Sequence, residues 1–289
     1  MGAQGSKRVA IIAAMPGELL HLARGWKHEK RAGGVHLWRT TQGDAEWVAA
    51  CAGAGAAAAT RAFAEVERDG PVTSVISTGW VGALTEDFVP RQVYAAAGVI
   101  DAQTGERFEA AEAVLANGGV PQKPPSWRNP ANGRGKSRAT QGRKPGDSPH
   151  VAIGTAEAVP LRSIPGPATK PWVVTSNKVA NTEDKSRLAG TYSAGLVDME
   201  AAAVARLAEM RRIPFLCIKG VSDGHAARLP DFNRFLTPEG QFQLARFIFF
   251  ALIRPWYWPE LIRMSENSSQ ASQALRDSLL ENLRRTGAN

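Results

Sequence analysis

Three carboxylates stand out by their places in the chain. Glu18 follows the apolar run Val9–Ala14, Glu200 follows Gly195–Met199, and Asp223 follows Phe215–Val221. Each run reads as a buried strand, and in an open α/β sheet ligands bind beyond the carboxyl ends of parallel strands. Acids at three such ends converge on one pocket, where carboxylates can move protons, accept hydroxyls and stabilise developing positive charge. Taken singly, each has a plainer account. Glu200 suits the first turn of a helix, where the dipole favours a carboxylate, and Asp223 suits a turn or cap. It is the three together that make a site.

Other motifs carry less. Gly53-Ala54-Gly55-Ala56-Ala57-Ala58 matches G-x-G-x-x-A, but the next strand, Val72–Ser77, runs into Thr78-Gly79 instead of an acid for a ribose. It reads as a tight strand-to-helix turn whose amides could still hold an anion or a ribose. H-E-x-x-H, clustered Cys/His and G-x-S-x-G are all absent, which removes the zincin and α/β-hydrolase classes and leaves no metal or cofactor motif. His21, His28, His36 and His150 are scattered surface groups by this reading, whereas His225 lies two residues from Asp223.

The elements that must position these residues alternate. After Val9–Ala14, Pro16-Gly17 opens a helical stretch through Leu19, Leu20, Leu22 and Ala23. Val35–Thr40 and Glu46–Ala52 form a hairpin across Gly43-Asp44, and an alanine-rich helix runs from Gly55 to about Val66. Val72–Ser77 and Pro171–Thr175 are strands, and Val89–Ile100 is a strand region. Asn181–Leu188 is a capped helix with Lys185 on its outer face, and Glu200–Met210 is a helix with Ala201, Val204, Ala205 and Ala208 inward. Gly240–Ile253 reads as a long apolar helix, docked by its aromatics on the sheet or a second subunit. Ser272–Arg285 is amphipathic, with Leu275, Leu279, Leu280 and Leu283 in one stripe. The expected fold is α/β, a single domain with a central mixed, mostly parallel sheet flanked by helices. That domain spans residues 8–253, and 254–289 is a C-terminal extension.

The chain has 289 residues and a net charge of +8, with 44% apolar and 21% charged residues, which is ordinary globular composition. No apolar run reaches the ~20 residues of a spanning helix. Lys123, Arg128, Arg134, Lys136, Arg138, Arg143 and Lys144 face only Asp147 within a Pro-rich stretch at about 120–150, so most of the excess charge belongs to an expected disordered insertion. The charge is therefore no nucleic-acid signature, and no specific nucleic-acid partner is expected. Cys51 and Cys217 lie in apolar segments and suit buried thiols in a reducing, cytoplasmic setting. Met1–Ser6 fits a myristoylation pattern, but one acyl chain anchors only marginally, and the apolar run after Lys7-Arg8 is too short for a secretory signal. Membrane contact is not expected, although Trp256, Tyr257 and Trp258 beside Arg254 would also suit an interface.

Four segments resemble the nucleoside phosphorylase and methylthioadenosine/S-adenosylhomocysteine nucleosidase superfamily. They are Ala13–Glu18, Ser77-Thr78-Gly79-Trp80-Val81-Gly82-Ala83-Leu84, Val197-Asp198-Met199-Glu200-Ala201-Ala202-Ala203-Val204-Ala205 and Lys219-Gly220-Val221-Ser222-Asp223. The likeness covers roughly residues 8–116 and 172–253. It implies a purine nucleoside as the small-molecule partner, a homo-oligomer, and no cofactor. It assigns the attacking water to Glu18, the underside of the ribose to Met199, the ribose hydroxyls to Glu200, and protonation of the purine at N7 to Asp223, whose proton burial would help retain. Val179 falls near the segment lining the base, and Gly79, Trp80 and Ser222 complete the expected pocket.

Departures shape the expectation. Trp80 stands where many members carry a small serine, which would narrow the pocket. The Ser77–Gly82 turn holds no arginine, where phosphorolytic relatives often place one for phosphate, and this favours hydrolysis over phosphorolysis. Lys219 replaces a common arginine, keeping the charge but losing the fork. A phosphorylase, or a non-enzymatic relative with Trp80 closing the pocket, are the alternatives.

Overall fold

The computed structural model describes residues 7–111 and 170–287. The expected insertion at about 120–150, His150 and Met1–Ser6 lie outside them. Strand β1 (Lys7–Ala13) leads to a single helical turn, α1 (Pro16–Leu19), shorter than the stretch to Ala23 that the leucines suggested. Next come β2 (Lys27–Lys30), then β3 (His36–Gln42) and β4 (Ala45–Cys51), which pair antiparallel across the expected turn at Gly43. Helix α2 (Ala56–Glu67) follows, then β5 (Ser74–Ser77) and β6 (Trp80–Ala83). The anticipated strand region at 89–100 divides into β7 (Val93–Ala95), which pairs with a strand still to come, and β8 (Gly98–Asp101), which pairs with β9 (Arg107–Glu109).

The second described segment holds β10 (Trp172–Thr175), α3 (Thr182–Tyr192), β11 (Leu196–Asp198), α4 (Ala201–Arg211) and β12 (Phe215–Asp223). The apolar helix α5 (Leu244–Leu252) starts four residues later than expected, and α6 (Trp258–Gly287) is far longer than its amphipathic stripe implied.

All strands join one sheet in the order β2-β3-β4-β1-β5-β12-β6-β11-β10-β8-β9, with β7 on β12. Strands β4, β1, β5, β12 and β6 run parallel to one another, as do β8, β10 and β11. The two blocks meet head to tail at the antiparallel β6–β11 pair. The acids therefore do not lie at the ends of one parallel set, as the sequence suggested. Instead Gly82 of β6 is flanked by Asp223 of β12 on one side and Val197 of β11 on the other, so the block junction draws the strand ends together.

Parallel strands are covered on both faces, and Val9–Ala13 is buried residue after residue, as that position demands. One face carries α2 and α4, packed through Ala58, Ala62, Phe63, Val204 and Ala208. The other carries α1 and α6, through Leu19, Leu275 and Leu279. Helix α5 has no buried residue and leaves Leu244, Ile248, Phe249 and Leu252 exposed, so the expected docking of this helix on the sheet does not occur. Helix α6 takes that place, lying so close to β12 that a Cβ at Gly220 would stand 3.0 Å from Ala271 and 3.1 Å from Leu275. None of the helices among the described residues is long and apolar enough to cross a membrane.

Truncating Leu275 should leave a cavity between α6 and the strand that ends in Asp223. Leu275→Ala is expected to lower stability by about 2–5 kcal/mol, read as a shift in the urea or thermal midpoint.

Candidate active site

Glu18 is placed by the single helical turn α1. Pro16 starts the turn, and the Glu18 carboxylate folds back on it, with Oε2 accepting from Ala14 N–H (2.7 Å) and Met15 N–H (2.8 Å). Oε1 accepts from Trp80 N–H at 2.7 Å, which ties β1 to the start of β6. This requires glycine at position 79. Its φ is +119°, and a Cβ there would sit 2.6 Å from Glu18 Oε1. Gly79 thus belongs to the site by making room for Glu18. Burial pushes the Glu18 carboxyl up, against the pull of the three amides and of Lys219.

Glu200 sits at the N-cap of α4 without capping it. Its Oε1 accepts from Gly55 N–H at 2.6 Å, and its Oε2 lies 3.3 Å from Met199 N. The glycine-rich turn before α2 therefore does supply an amide to an anion, and that anion is a side chain 145 residues away. Burial first, then the neighbouring Asp198 carboxylate, pushes Glu200 up to about 8, with Lys219 pulling the other way.

Asp223 differs from the desolvated acid expected from sequence. It is half-buried; Oδ2 pairs with Lys185 Nζ, and Oδ1 lies 2.7 Å from Ser222 Oγ. Lys185 was expected on the outer face of α3. Instead it is 3% exposed, and its Nζ also donates to Gly224 O at 2.7 Å. The capped start of α3, with Asn181 Oδ1 accepting from Asp184 N–H (2.8 Å), sets the rotation that turns Lys185 inward with Leu188. Gly82 lets it pass, since a Cβ there would stand 3.0 Å from Lys185 Cε and 3.1 Å from Asp223 Oδ2. The spacing Lys185–Leu188–Tyr192 is a helical stripe, but a lysine in it reads as polar, which hid the residue from sequence reasoning.

Beneath the carboxylates lies an ion pair. Lys219 and Asp198 are 1% and 0% exposed at their side chains and 2.9 Å apart. Lys219 also donates to Thr78 O (3.1 Å), while Asp198 accepts from Thr175 Oγ1 (2.7 Å) and from Ala201 N–H (2.9 Å), capping α4.

Above them opens a cavity of about 320 Å³ lined by Glu18, Glu200, Asp223, Met199, Val179, Trp80 and Ser222. Trp80 forms a wall without closing the space. Its ring packs over Gly17, and its Nε1–H donates to Ser272 Oγ of α6 at 2.8 Å. Val179 is fixed by Asn233, which accepts from its N–H (2.8 Å) and donates to its carbonyl (3.1 Å). His225 does not line this cavity and faces Glu86 at the surface. Among the described residues, no group of His, Cys, Asp and Glu is placed to hold a metal. Sequence reasoning missed Lys185, the Phe232, Phe242 and Phe247 wall, and Met264 and Ser268 from α6.

The sequence matches the family model described as "Phosphorylase superfamily" over residues 8–252. The chain belongs to the phosphorylase superfamily. A search of curated protein sequences returns no significant match. Among solved structures, the 5′-methylthioadenosine/S-adenosylhomocysteine nucleosidase of Helicobacter pylori is 14% identical, with a TM-score of 0.61 over 98% of this chain and 100% of that one. The futalosine hydrolase of the same organism is 13% identical, with a TM-score of 0.60 over 97% and 98%. The S-adenosylhomocysteine nucleosidase of Streptococcus pyogenes is 16% identical, with a TM-score of 0.57 over the full length of both chains. At this identity the likeness establishes the shared fold, with the carboxylate cavity of this phosphorylase-superfamily chain described by its own residues.

The raised Glu200 carboxyl carries a consequence for stability. Between its ordinary value of 4.5 and about 8, the folded chain holds a proton that the unfolded chain releases. Its contribution therefore falls as pH rises through that window; the penalty is absent below it and complete above it. Glu200→Gln is expected to flatten the decline by on the order of 2–5 kcal/mol, measured by urea unfolding at pH 5 and pH 9.

Proposed function

We propose that the protein is a purine nucleoside N-ribosyl hydrolase of the methylthioadenosine/S-adenosylhomocysteine nucleosidase type. The observation that carries this reading is the convergence of Glu18, Glu200 and Asp223 on one cavity, in a chain of this superfamily. Cleaving an N-glycosidic bond leaves positive charge on the ribose and negative charge on the departing base. Asp223 relays a proton from solvent to purine N7, so the electrons of the breaking C1′–N9 bond leave on a neutral base. Lys185 then faces the Asp223 carboxylate and offsets the charge left there. Glu200 hydrogen-bonds the two vicinal ribose hydroxyls through its two carboxyl oxygens. Glu18 orients the water that attacks C1′ and accepts its proton. Met199 packs beneath the ribose, and Val179, Trp80 and Ser222 complete the pocket.

Hydrolysis is favoured over phosphorolysis by the cations of the cavity. Lys178 is 2.8 Å from Asp184, and Lys185 is paired with Asp223, so each lysine lining the cavity already holds a carboxylate in place of a phosphate. The same reading makes the chain a cytoplasmic homo-oligomer. Buried, unpaired Cys51 and Cys217 support the compartment, and exposed Trp256 and Trp258 support a subunit contact.

Base release from methylthioadenosine, S-adenosylhomocysteine, adenosine and inosine, followed by chromatography with and without phosphate, tests the proposal. Free base without phosphate is expected. Release only with phosphate, together with ribose 1-phosphate, would move the assignment to a phosphorylase, and no release from any of them would count against enzymatic cleavage. Asp223→Asn should lower kcat by about 10²–10⁴-fold. Lys185→Met is expected to lower kcat by about tenfold or more while leaving KM nearly unchanged, because it acts through Asp223 on the transition state.

A further inference from the structure

Helix α5 is apolar on the side it turns away from the domain. Its inner side is anchored, with Phe247 and Phe250 packed on the buried Phe235 ring at centroid distances of 5.4 and 5.1 Å. On the outer side stand Leu244, Ile248, Phe249 and Leu252, with Ile253 at the C-cap, and together they sweep about half the helix circumference. A surface helix ordinarily shows polar residues there, and a helix that is apolar all round is covered. The exposure is also concentrated. Among the described residues, Leu20, Val89 and Met210 are isolated exposed apolar side chains, whereas the other large ones lie between Leu244 and Ile262. Phe249 is 67% and Leu252 62% exposed. A contiguous patch of this kind marks an interaction surface, where single residues would not. A subunit contact through Trp256 and Trp258 leaves the face uncovered, since neither belongs to α5.

The charges around the patch favour one occupant. Within residues 244–263 the cations are Arg246, Arg254 and Arg263, and the acid is Glu260, which already pairs with Arg263 at 2.9 Å. Arg246 is exposed on the same helix, and the Arg254 guanidinium lies 4.1 Å from the centre of the Phe250 ring. A second copy meeting this face about a two-fold axis would set the arginines against their own counterparts, with no carboxylate of the segment free to oppose them. A bilayer surface with anionic headgroups satisfies both parts. The apolar side chains enter the acyl boundary while the arginine heads stay at the phosphates. The nine residues of α5 are under half of the ~20 that a spanning helix needs, so the helix lies in the plane of the interface.

Independently of the reaction assigned to the cavity, we propose that α5 is a membrane-surface anchor, whose outer face docks the protein on a bilayer bearing anionic phospholipids without crossing it. Composition gave no reason to expect membrane contact; the outward turn of this one helix face supplies it.

The test is co-sedimentation of the full chain with large unilamellar vesicles of phosphatidylcholine, with and without phosphatidylglycerol. Binding to the anionic vesicles is expected to exceed binding to the neutral ones by about fivefold for each arginine at the face, and to weaken with added salt. Ile248→Ser combined with Leu252→Ser should weaken it on the order of a hundredfold, and Arg246→Glu by about fivefold or more. All three side chains are exposed, so these variants are expected to keep the fold. No binding to either vesicle would overturn the proposal. Binding that the double variant leaves intact would also overturn it, assigning the attraction to cations elsewhere in the chain. Sedimentation velocity without lipid tests the other occupant: self-association that the double variant abolishes, with no vesicle binding, would give the face to a second copy and overturn the membrane anchor.

Discussion

The buried pair of Lys219 and Asp198 is the contact on which the site depends. It joins β12, which ends in Asp223, to β11, which leads into Glu200, across the intervening β6. Two charges this deep cost several kcal/mol each to desolvate, and their attraction repays it only with further hydrogen bonds. Thr78 O, Thr175 Oγ1 and Ala201 N–H supply them. The pair stands where two parallel blocks of opposite direction meet, a junction that backbone pairing alone specifies weakly. Lys219 is also the cation nearest the underside of the site and pulls both Glu18 and Glu200 toward their charged forms. One lysine thus sets both the registry of the strand ends and the electrostatics above them.

Above that pair, the two buried glutamates are held by backbone. Glu18 takes amides from Ala14, Met15 and Trp80, and Glu200 takes one from Gly55. Amides donate without adding a full positive charge, so each carboxyl is oriented while burial still holds its pKa up. Asp223 is handled differently, with a lysine and a serine hydroxyl on its two oxygens and more exposure than its partners. The contrast matches the division of labour in the proposed reaction, in which Glu200 binds, Glu18 positions water, and Asp223 must change charge during the step.

Helix α6 is part of this construction. It packs on Gly220 through Ala271 and Leu275, fixes the Trp80 ring through Ser272, and accepts from Arg91 Nε at Asn267 Oδ1 (2.7 Å). Met264 and Ser268 reach the cavity from the same helix. Trp80 can therefore replace a small residue without filling the pocket, because α6 holds its ring aside as a wall. The exposed stripe of α5 follows from the same arrangement, since α6 occupies the sheet face that α5 would otherwise cover.

Much of this was legible in the sequence because it is local. Strand cores such as Val9–Ala13, the helix faces of α2 and α4, the Gly43 turn, and the placement of Glu18, Glu200 and Asp223 at element ends all follow from hydrophobic periodicity and glycine position over a few residues. The family likeness rests on segments equally short. Other features were settled only by contacts between distant parts of the chain. Lys185 turns inward because a carboxylate 38 residues away receives it, Gly55 gives its amide to Glu200 instead of to a phosphate, and the direction of β11 is reversed relative to β6. Periodicity reports how a segment divides its polar and apolar faces. It does not report which neighbour covers a face, and a buried lysine or an exposed leucine stripe depends wholly on that neighbour.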